Sequence, residues 1–441
     1  MNLEEAAGRN DLFETPKALY VHIPFCYSRC GYCDFHSFAL GRCEGGQQSG
    51  NEFAESYVAT LLHRARELKA RLPEPLQTLY IGGGTPTILP DKAFSELLGQ
   101  LAFLFGSSLK EWTVEANPES LSRQKLSVMA DAGVSRLSIG IQSMDDGELE
   151  TLGRRARRRD NEKALDLAQR SEMQVSADLI AGIPGQSPET LESSVRAILD
   201  TCVDHVSLYD LSIEKETELE KKILQGVLKL PAEDSAYSAR KHGERILKAA
   251  GYQRYEVSNF SPAGRESLHN SVYWSMNSYV GIGSGAVSSL MVKENADPTL
   301  LLDIDLGSSE GSAARAAGAV GSLVRTAGGA TGDAAGAPAC LRMEEGRDLK
   351  AYLASPDACL TSAWIDRKDS AFELVMMGLR TRQGVDRQRF ARRFGSDLYP
   401  LIATVLGKWK DRFIQDDEYL RLDDAGLDLL NPLLLDILEV L

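Results

Sequence analysis

The stretch ALYVHIPFCYSRCGYC, residues 18–33, places three cysteines directly after an apolar run that is typical of a buried strand. Cys26, Cys30 and Cys33 have the spacing C-x3-C-x2-C. Thiolates are soft ligands suited to iron–sulfur clusters and to zinc. Three ligands on one loop hold three corners of a cubane and leave one iron open to an outside amine and carboxylate, whereas a four-cysteine site is closed. The motif therefore predicts an iron–sulfur cluster with an open iron.

A zinc site is the alternative interpretation, with His22 or His36 as the fourth ligand. Structural zinc sites usually pair two cysteine knuckles from separate segments, and the sequence has no second knuckle. His22 also falls inside the predicted strand, where its orientation need not favour a shared metal. The spacing favours the cluster over zinc.

Composition and charge narrow the class of protein. The chain has 441 residues and a hydrophobic content of 43%, so it can bury one large core and a smaller one. Its formal net charge is −14. The negative charge argues against a general nucleic-acid binder, which needs a basic face. The other cysteines, Cys43, Cys202, Cys340 and Cys359, are scattered along the chain, and this pattern does not indicate a disulfide framework.

The location of the protein is predicted from what the sequence lacks. Residues 1–15 are polar and acidic, which is not the pattern of a secretory signal peptide. No apolar run approaches the roughly 18–20 residues of a membrane span. We expect a cytoplasmic protein without a transmembrane segment, and peripheral contact with a membrane stays open.

Between residue 18 and about residue 285, short apolar runs alternate with amphipathic helical stretches. The predicted strands are residues 18–23, 78–81, 112–115, 136–141, 174–179, 205–211 and 254–257. This alternation indicates βαβ units and a parallel sheet. So many units predict an α/β fold with a full or partial (β/α) barrel, in which the loops at the carboxyl ends of the strands carry the site.

The sequence divides into four predicted segments: an N-terminal tail at 1–17, a barrel domain at 18–290, an Ala/Gly-rich insertion at 303–338 and a C-terminal domain at 341–441. The insertion has no apolar period, so we expect a flexible surface segment. The sequence pattern of the last domain predicts helices around a short strand pair, an α+β arrangement that is winged-helix-like. Because its final part holds more acidic than basic residues, a packing or lid role is expected rather than DNA binding.

Several motifs beyond the cysteines form one pattern. They are YVHIPFC at 20–26, GGGTPT at 82–87, EANP at 115–118, RLSIGIQS at 136–143, DLIAGIPGQ at 178–186 and HNSVYW at 269–274. With the cysteine motif they resemble the radical S-adenosylmethionine (SAM) superfamily, and within it the HemN/HemW branch of oxygen-independent coproporphyrinogen oxidase-like proteins. The resemblance covers about residues 18–285 and resumes near residue 347. It implies a barrel of radical SAM type with a small C-terminal domain.

The resemblance also implies a set of cofactors. A [4Fe–4S] cluster is expected on the three cysteines, with an electron donor to reduce it and with bound SAM. The residues that match the family's SAM contacts are Tyr20, Tyr32, Gly83, Gly84, Thr85, Glu115, Gln142, Arg154 and Asp178. Glycines let the backbone approach a ligand closely, and a guanidinium fork suits a carboxylate. Each also has a plain structural reading as a tight turn, a strand-end polar group or a core aromatic.

Two functions share this cofactor set. In an oxidase, the reduced cluster cleaves SAM, and the resulting radical takes hydrogen from coproporphyrinogen propionates. In a haem chaperone of HemW type, the protein binds haem and passes it to an acceptor protein. The oxidases carry a further cysteine two positions after the third, where this chain has Phe35. This favours the chaperone and leaves a catalytic role open; a radical SAM enzyme with a non-porphyrin substrate is a third candidate.

The motif HNSVYW carries the residues expected to bind haem. His269 matches a histidine that the resemblance implies as an iron ligand, with Tyr273 and Trp274 packing on the porphyrin. The plain alternative is a core histidine beside ordinary packing aromatics. Val287 stands where the family often has a further histidine, and this departure bears on the affinity for porphyrin.

We predict that the protein, reconstituted without oxygen, binds about four irons with sulfide, as a cubane requires. Cys30→Ala should abolish this binding because it removes one of the three thiolates. Iron and sulfide analysis with absorption spectroscopy checks the prediction. Stoichiometric zinc without sulfide in the wild type would contradict it.

Overall fold

The computed structural model describes residues 1–40, 50–201, 203–297, 300–301, 304 and 338–441. The strands in these ranges are β1 (Ala18–Ile23), β2 (Phe25–Cys26), β3 (Phe38–Ala39), β4 (Thr78–Gly83), β5 (Glu111–Ala116), β6 (Arg136–Gln142), β7 (Gln174–Ala181), β8 (Val203–Asp210), β9 (Gln253–Arg254), β10 (Asn259–Ser261), β11 (Tyr279–Ile282), β12 (Val287–Met291), β13 (Pro338–Glu344), β14 (Thr361–Asp366), β15 (Val385–Asp386), β16 (Phe413–Gln415) and β17 (Tyr419–Leu422).

The α-helices in the same ranges are α1 (Leu3–Gly8), α2 (Gly50–Arg71), α3 (Asp91–Phe105), α4 (Arg123–Ala132), α5 (Asp146–Thr151), α6 (Arg158–Ala168), α7 (Pro188–Leu199), α8 (Glu218–Leu224), α9 (Glu233–Ala249), α10 (Leu268–Trp274), α11 (Leu349–Ala354), α12 (Arg367–Leu379), α13 (Arg387–Phe394), α14 (Leu398–Leu401), α15 (Ala403–Lys408), α16 (Asp424–Asp428) and α17 (Leu430–Val440). None of them is long and apolar enough to cross a membrane, a finding that covers the described ranges alone.

Internal contacts divide the chain into two compact units. The barrel unit comprises Val21–Ala65 and Thr78–Ser267, and the antiparallel unit comprises Met1–Tyr20, Arg66–Gln77 and Leu268–Leu441. The predicted barrel domain at 18–290 and C-terminal domain at 341–441 overlap these units only in part. Those domain limits stay a prediction.

The barrel unit is a partial (β/α) barrel, as the sequence predicts. Strands β4 to β8 pair in parallel in chain order, and β1 lies next to β4. The strands are buried along almost their whole length because helices connect each one to the next, which explains their continuous apolar runs. The antiparallel strands β10 and β9 follow β8 in the strand order. All the parallel strands therefore end at one edge, and the loops that follow them lie there.

One predicted strand, residues 254–257, is wrong. The chain instead forms β9 and β10 with a bend between them. The guanidinium of Arg254 donates to the carbonyl oxygens of Glu256 (3.3 Å) and Val257 (3.1 and 2.7 Å), and the Ser258 N–H donates to the Glu256 carboxylate at 2.9 Å. These local hydrogen bonds curl the segment out of the extended conformation that its apolar pattern predicts.

The antiparallel unit contains four consecutive strands, β11 to β14, that the sequence did not predict. Strands β12 and β13 pair from Val287 opposite Glu344 to Met291 opposite Cys340. They flank the predicted Ala/Gly-rich insertion at 303–338, which lies outside the described residues apart from Ile304 and Pro338. The strands that precede and follow that segment are therefore paired with each other.

The last part of the antiparallel unit is the small α+β module that the sequence predicts. The predicted short strand pair is confirmed as β16 and β17, and β15 pairs on the other side of β17. The α13 helix begins where the Asp386 side chain accepts from the Arg389 N–H, and it ends at Gly395, whose φ of 70° is left-handed. Leucine and isoleucine side chains of α17 fill the core behind it.

A buried ion pair fixes the parallel strands at the edge opposite their carboxyl ends. Arg136 at the start of β6 donates to Glu111 at the start of β5 at 3.2 Å, with side-chain exposures of 3% and 5%. Its guanidinium also donates to the Gln174 side chain at 2.7 Å and to two backbone carbonyls that follow β10. One side chain therefore connects three neighbouring strands.

We predict that Arg136→Met lowers the free energy of unfolding by about 3–5 kcal/mol, because it leaves the Glu111 carboxylate buried without its charge partner. Urea unfolding followed by circular dichroism measures this change. The matched control is Arg170→Met, because Arg170 forms an exposed ion pair with Asp166 within α6 and the residues after it. Its cost should stay below about 1 kcal/mol, and equal losses in the two variants would refute the special role of the buried pair.

Candidate functional site

The three cysteines lie on a loop that begins where β1 ends. Cys26 is in β2, which pairs in parallel with β3, so the loop returns beside its own start. Gly31 donates its N–H to the Leu152 carbonyl at 2.9 Å, and its own carbonyl accepts from the Leu219 N–H at 2.8 Å. All three thiols are free of disulfides and half-buried. Backbone contacts thus hold the loop on both sides while its sulfurs stay reachable.

Each of the three sulfurs has a hydrogen-bond donor. The Cys26 sulfur lies 3.6 Å from the Thr85 hydroxyl, and the Cys30 sulfur lies 3.5 Å from the Arg154 guanidinium. The backbone of Phe35 hydrogen-bonds the Cys33 sulfur and lowers the pKa of that thiol against the effect of burial. Donors of this kind stabilise sulfur in its thiolate form, which is the form that binds iron.

The thiols also act on one another. Burial and, to a smaller extent, the charge of Cys30 raise the pKa of Cys26, and the same two causes raise the pKa of Cys33 to about 11. The three sulfurs are therefore close enough for their negative charges to repel. A positively charged iron core compensates such repulsion, so this donor set fits a thiolate-bound cluster.

The glycine loop after β4 packs against the start of the cysteine loop. The Gly84 N–H donates to the Ile23 carbonyl at 2.8 Å, and the Thr85 N–H donates to the Phe25 carbonyl at 2.7 Å. A Cβ on Gly84 would lie 2.6 Å from the Phe25 oxygen. Gly83 has a φ of 103°, and a Cβ there would lie 2.2 Å from the His22 ring. Only glycine fits at both positions, and Thr85 is thereby brought to Cys26.

Glu115 and Asp178 form an acidic part of the same edge. The Glu115 carboxylate accepts from the Tyr80 hydroxyl at 2.6 Å and from the Gly83 N–H at 3.0 Å. Burial, with a smaller contribution from the charge of Asp178, raises the pKa of Glu115 to about 7 against the opposing effect of the bonds from Tyr80 and Gly83. Burial likewise raises the pKa of Asp178 to about 6. Both carboxyls therefore titrate near neutral pH.

Gln142 and Arg154 come from β6 and the segment after α5. A register shift between Gly140 and Gln142, with a φ of 66° at Gln142, brings the Gln142 amide next to Gly140. Arg154 is buried; its two terminal nitrogens bind the Cys30 sulfur, the Asn117 side chain at 3.0 Å and the Gly140 carbonyl at 2.6 Å. Its Nε is buried without a hydrogen-bond partner among the described residues.

The two predicted tyrosines are placed differently. Tyr32 packs against the buried cluster of Leu152, Ile180 and Ile183 beside the cysteine loop, and burial raises its pKa. Tyr20 is half-buried in β1 and is the last residue of the antiparallel unit before the chain enters the barrel unit. The structure thus brings Tyr32 to the cysteines through contacts within one unit.

The predicted haem residues lie in the antiparallel unit, on α10. His269 is 0% exposed, and its Nε2 is 2.7 Å from the Tyr273 hydroxyl, one helical turn away. Burial lowers the pKa of His269 to about 3, so the imidazole is neutral at physiological pH. Tyr273 meets Tyr279 edge to face with ring centroids 4.6 Å apart, and Arg380 lies over the Trp274 ring. Val287 begins β12.

The zinc alternative receives no geometric support from the predicted histidines. The Nε2 of His22 is 3.0 Å from the His36 carbonyl oxygen, and its ring packs on Gly83. Within the described residues, no three His, Cys, Asp or Glu side chains converge in the way that a single metal ion needs.

Sequence reasoning missed three residues that order the site. Asn117 bonds both Thr85 and Arg154; Tyr80 bonds Glu115; and the buried amine of Lys125 donates to the carbonyls of Thr87 and Leu89 after the glycine loop. Asn117 stands two positions after Glu115 in the EANP motif, so the motif itself could have indicated a role for it. Lys125 gives no such signal, because a lysine on a helix usually faces solvent.

Two protein families match parts of this chain. Residues 20–198 match the radical SAM superfamily, and residues 365–429 match the HemN C-terminal domain. The first match spans the cysteine loop and strands β4 to β7. The second covers most of the small α+β module.

Individual relatives narrow the assignment. A Bacillus subtilis protein named heme chaperone HemW is 35% identical over 274 residues, which are 61% of this chain and 70% of that protein. The Escherichia coli protein of the same name is 35% identical over 62% of this chain and 69% of its own length. A Bos taurus protein named radical S-adenosyl methionine domain-containing protein 1, mitochondrial, is 38% identical over 61% of this chain and 60% of its own length.

A solved structure shares the fold. Coproporphyrinogen III oxidase (HemN) from Escherichia coli superposes with a TM-score of 0.72 over 99% of this chain and 93% of its own, at 18% identity. This likeness shows the architecture alone. The family match and the relatives above show that the chain belongs to the radical SAM superfamily and, within it, to the family of the proteins named heme chaperone HemW.

We predict that the metal-free, reduced protein loses stability as the pH rises from about 4.5 to 7. The ordinary pKa of a glutamate is 4.5, and that of folded Glu115 is about 7, so in this window the folded chain retains a proton that the unfolded chain has released. The change amounts to at most about 3 kcal/mol at 1.4 kcal/mol per pKa unit. Urea unfolding across this range measures it.

Glu115→Gln should reduce the slope of this pH profile, because glutamine does not titrate; the part of the slope that remains belongs to Asp178, whose pKa burial raises to about 6. Glu150→Gln on the exposed face of α5 is the matched control and should keep the wild-type slope. A Glu115→Gln profile that superposes on the wild type would refute the assigned titration.

Proposed function

We propose that this chain is a haem chaperone that carries a [4Fe–4S] cluster and SAM, binds haem and transfers it to an acceptor protein. The observation that carries the proposal is the cysteine loop: each of its three sulfurs has a donor, and it lies beside the glycine loop that holds Thr85. Membership of the HemW family supports the haem part of the proposal.

In this proposal Cys26, Cys30 and Cys33 hold the cluster. When bound, such a cluster supplies one-electron chemistry and an open iron site for an amine and a carboxylate. The protein supplies a half-buried loop fixed through Gly31 and the donors to sulfur described above. An electron donor is needed to reduce the cluster, and the interior of the cell is the expected location.

The SAM contacts proposed for this chain are Tyr20, Tyr32, Gly83, Gly84, Thr85, Glu115, Gln142, Arg154 and Asp178. The carboxylates of Glu115 and Asp178 offer acceptors for an amine or for ribose hydroxyls. Arg154 offers a buried cation for the carboxylate, and its Nε has no partner among the described residues. These charges are complementary to a ligand that carries both an amine and a carboxylate.

For haem, we propose His269 as the iron ligand, with Tyr273 and Trp274 against the porphyrin. Burial keeps the imidazole neutral, which is the form that binds metal. Its Nε2 lies at hydrogen-bond distance from the Tyr273 hydroxyl, so ligation through this atom requires the phenol to swing away. The hydrogen bond between the two residues therefore competes with iron binding.

Haem binding tests the proposal directly. We expect the reconstituted protein to give a Soret band when haem is added, and His269→Ala to weaken it. Tyr273→Phe should retain or strengthen binding, because it removes the competing hydroxyl but keeps the ring. Titration followed by absorption spectroscopy measures both, with coproporphyrinogen assayed in parallel.

Each outcome has a distinct meaning. No spectral change in the wild type would refute the chaperone. Loss of binding in Tyr273→Phe with unchanged binding in His269→Ala would make the tyrosine the iron ligand instead. Robust conversion of coproporphyrinogen would assign the protein to the oxidases.

A further inference from the structure

One side chain, Asn117, connects the hydrogen bonds that reach two of the three cysteine sulfurs. Asn117 directly follows β5 and lies between the glycine loop and the segment that carries Arg154. Its side chain is 2.8 Å from the Thr85 hydroxyl and 3.0 Å from the Arg154 guanidinium. Thr85 in turn contacts Cys26, and Arg154 contacts Cys30.

The chemistry of the partners fixes the direction of every bond in this chain. A guanidinium only donates, so it faces the amide oxygen of Asn117. The amide nitrogen is then left to donate to the Thr85 oxygen, as the contact at 2.8 Å has it. A hydroxyl that accepts from Asn117 keeps its single proton for another partner, and the Cys26 sulfur stands 3.6 Å away.

The surroundings hold Asn117 in this position. The Ser120 hydroxyl donates to the Asn117 carbonyl at 2.9 Å and contacts the Thr87 hydroxyl at 2.7 Å. A Cβ on Gly140 would lie 3.2 Å from the Asn117 amide oxygen, so the glycine leaves room for the side chain. The backbone of Asn117 is thus held in place, and its side-chain amide can orient Thr85 and Arg154.

We propose that Asn117 is a positioning residue that sets the reduction potential of the cluster by aiming Thr85 at Cys26 and Arg154 at Cys30. The inference rests on the proposed cluster. A hydrogen bond to a thiolate stabilises the more negative, reduced cluster more than the oxidised one. Losing the amide therefore shifts the potential to more negative values.

The experiment is an EPR-monitored redox titration of the full-length reconstituted protein without SAM, because Thr85 and Arg154 are also proposed SAM contacts. Thr85→Val removes one donor and keeps the shape of the side chain, so its midpoint potential should shift negative. Asn117→Ala releases both donors and should shift it further. A tenfold change in the ratio of reduced to oxidised cluster corresponds to about 59 mV for one electron.

The matched control is Thr113→Val, the same substitution within β5. Thr113 is buried like Thr85, but its hydroxyl donates to the Glu111 carboxylate at 3.5 Å and not to a cysteine. Its potential should equal that of the wild type. In the double variant Thr85→Val with Asn117→Ala, the shift of the midpoint potential should be smaller than the sum of the shifts in the two single variants, because Asn117 acts partly through Thr85.

An unchanged potential in Asn117→Ala, with iron and sulfide at the wild-type level, overturns the inference. If Asn117→Ala does not assemble a cluster, Thr85→Val decides, since it leaves the bond between Asn117 and Arg154 in place; a wild-type potential in that variant overturns the inference as well. Equal shifts in Thr85→Val and Thr113→Val would do the same. Failure of the wild type to assemble any cluster would instead refute the proposed function.

Discussion

The contact between the glycine loop after β4 and the end of β1 is the constraint on which the candidate site depends. Two backbone hydrogen bonds, from Gly84 to Ile23 and from Thr85 to Phe25, join the loops at a distance that leaves no space for a Cβ on Gly84. This approach puts the Thr85 hydroxyl beside the first cysteine. Asn117, which follows β5, then donates to Thr85, so the position of the hydroxyl beside Cys26 depends on a backbone contact.

The electrostatics of the site follow from the same crowding. Thiols and carboxyls that are held together out of water favour their neutral forms, which is why burial is the largest cause of the raised pKa values of Cys26, Cys33, Glu115 and Asp178. Neighbouring hydrogen bonds and the Arg154 charge reduce those shifts without cancelling them. Ligands that bring positive charge, as iron and an amine do, therefore stabilise the charged forms of these groups.

Much of this organisation could be predicted from the sequence, because the parallel strands are buried on both faces and read as apolar runs. The cysteine spacing and the glycine loop carry their chemistry in residue types alone. Strands β11 to β14 escaped prediction, since half-polar antiparallel strands such as β14 lack a continuous apolar run. The bend after Arg254 depends on side-chain bonds within a curled segment, and no local pattern encodes it. The EANP motif contains Asn117, but the partners of its side chain come from distant segments and are visible only in the fold.

The pairing of β12 with β13 has a consequence for how chain length can vary in this family. The Val292 N–H donates to the Ala339 carbonyl at 3.0 Å, so the strands close directly on either side of the intervening segment. The entropy cost of joining two chain ends grows only as the logarithm of the number of residues between them, about 0.6 kcal/mol for each doubling. Insertions and deletions between these strands therefore change the free energy of folding only slightly, and the strand pair can be retained while the connection varies in length.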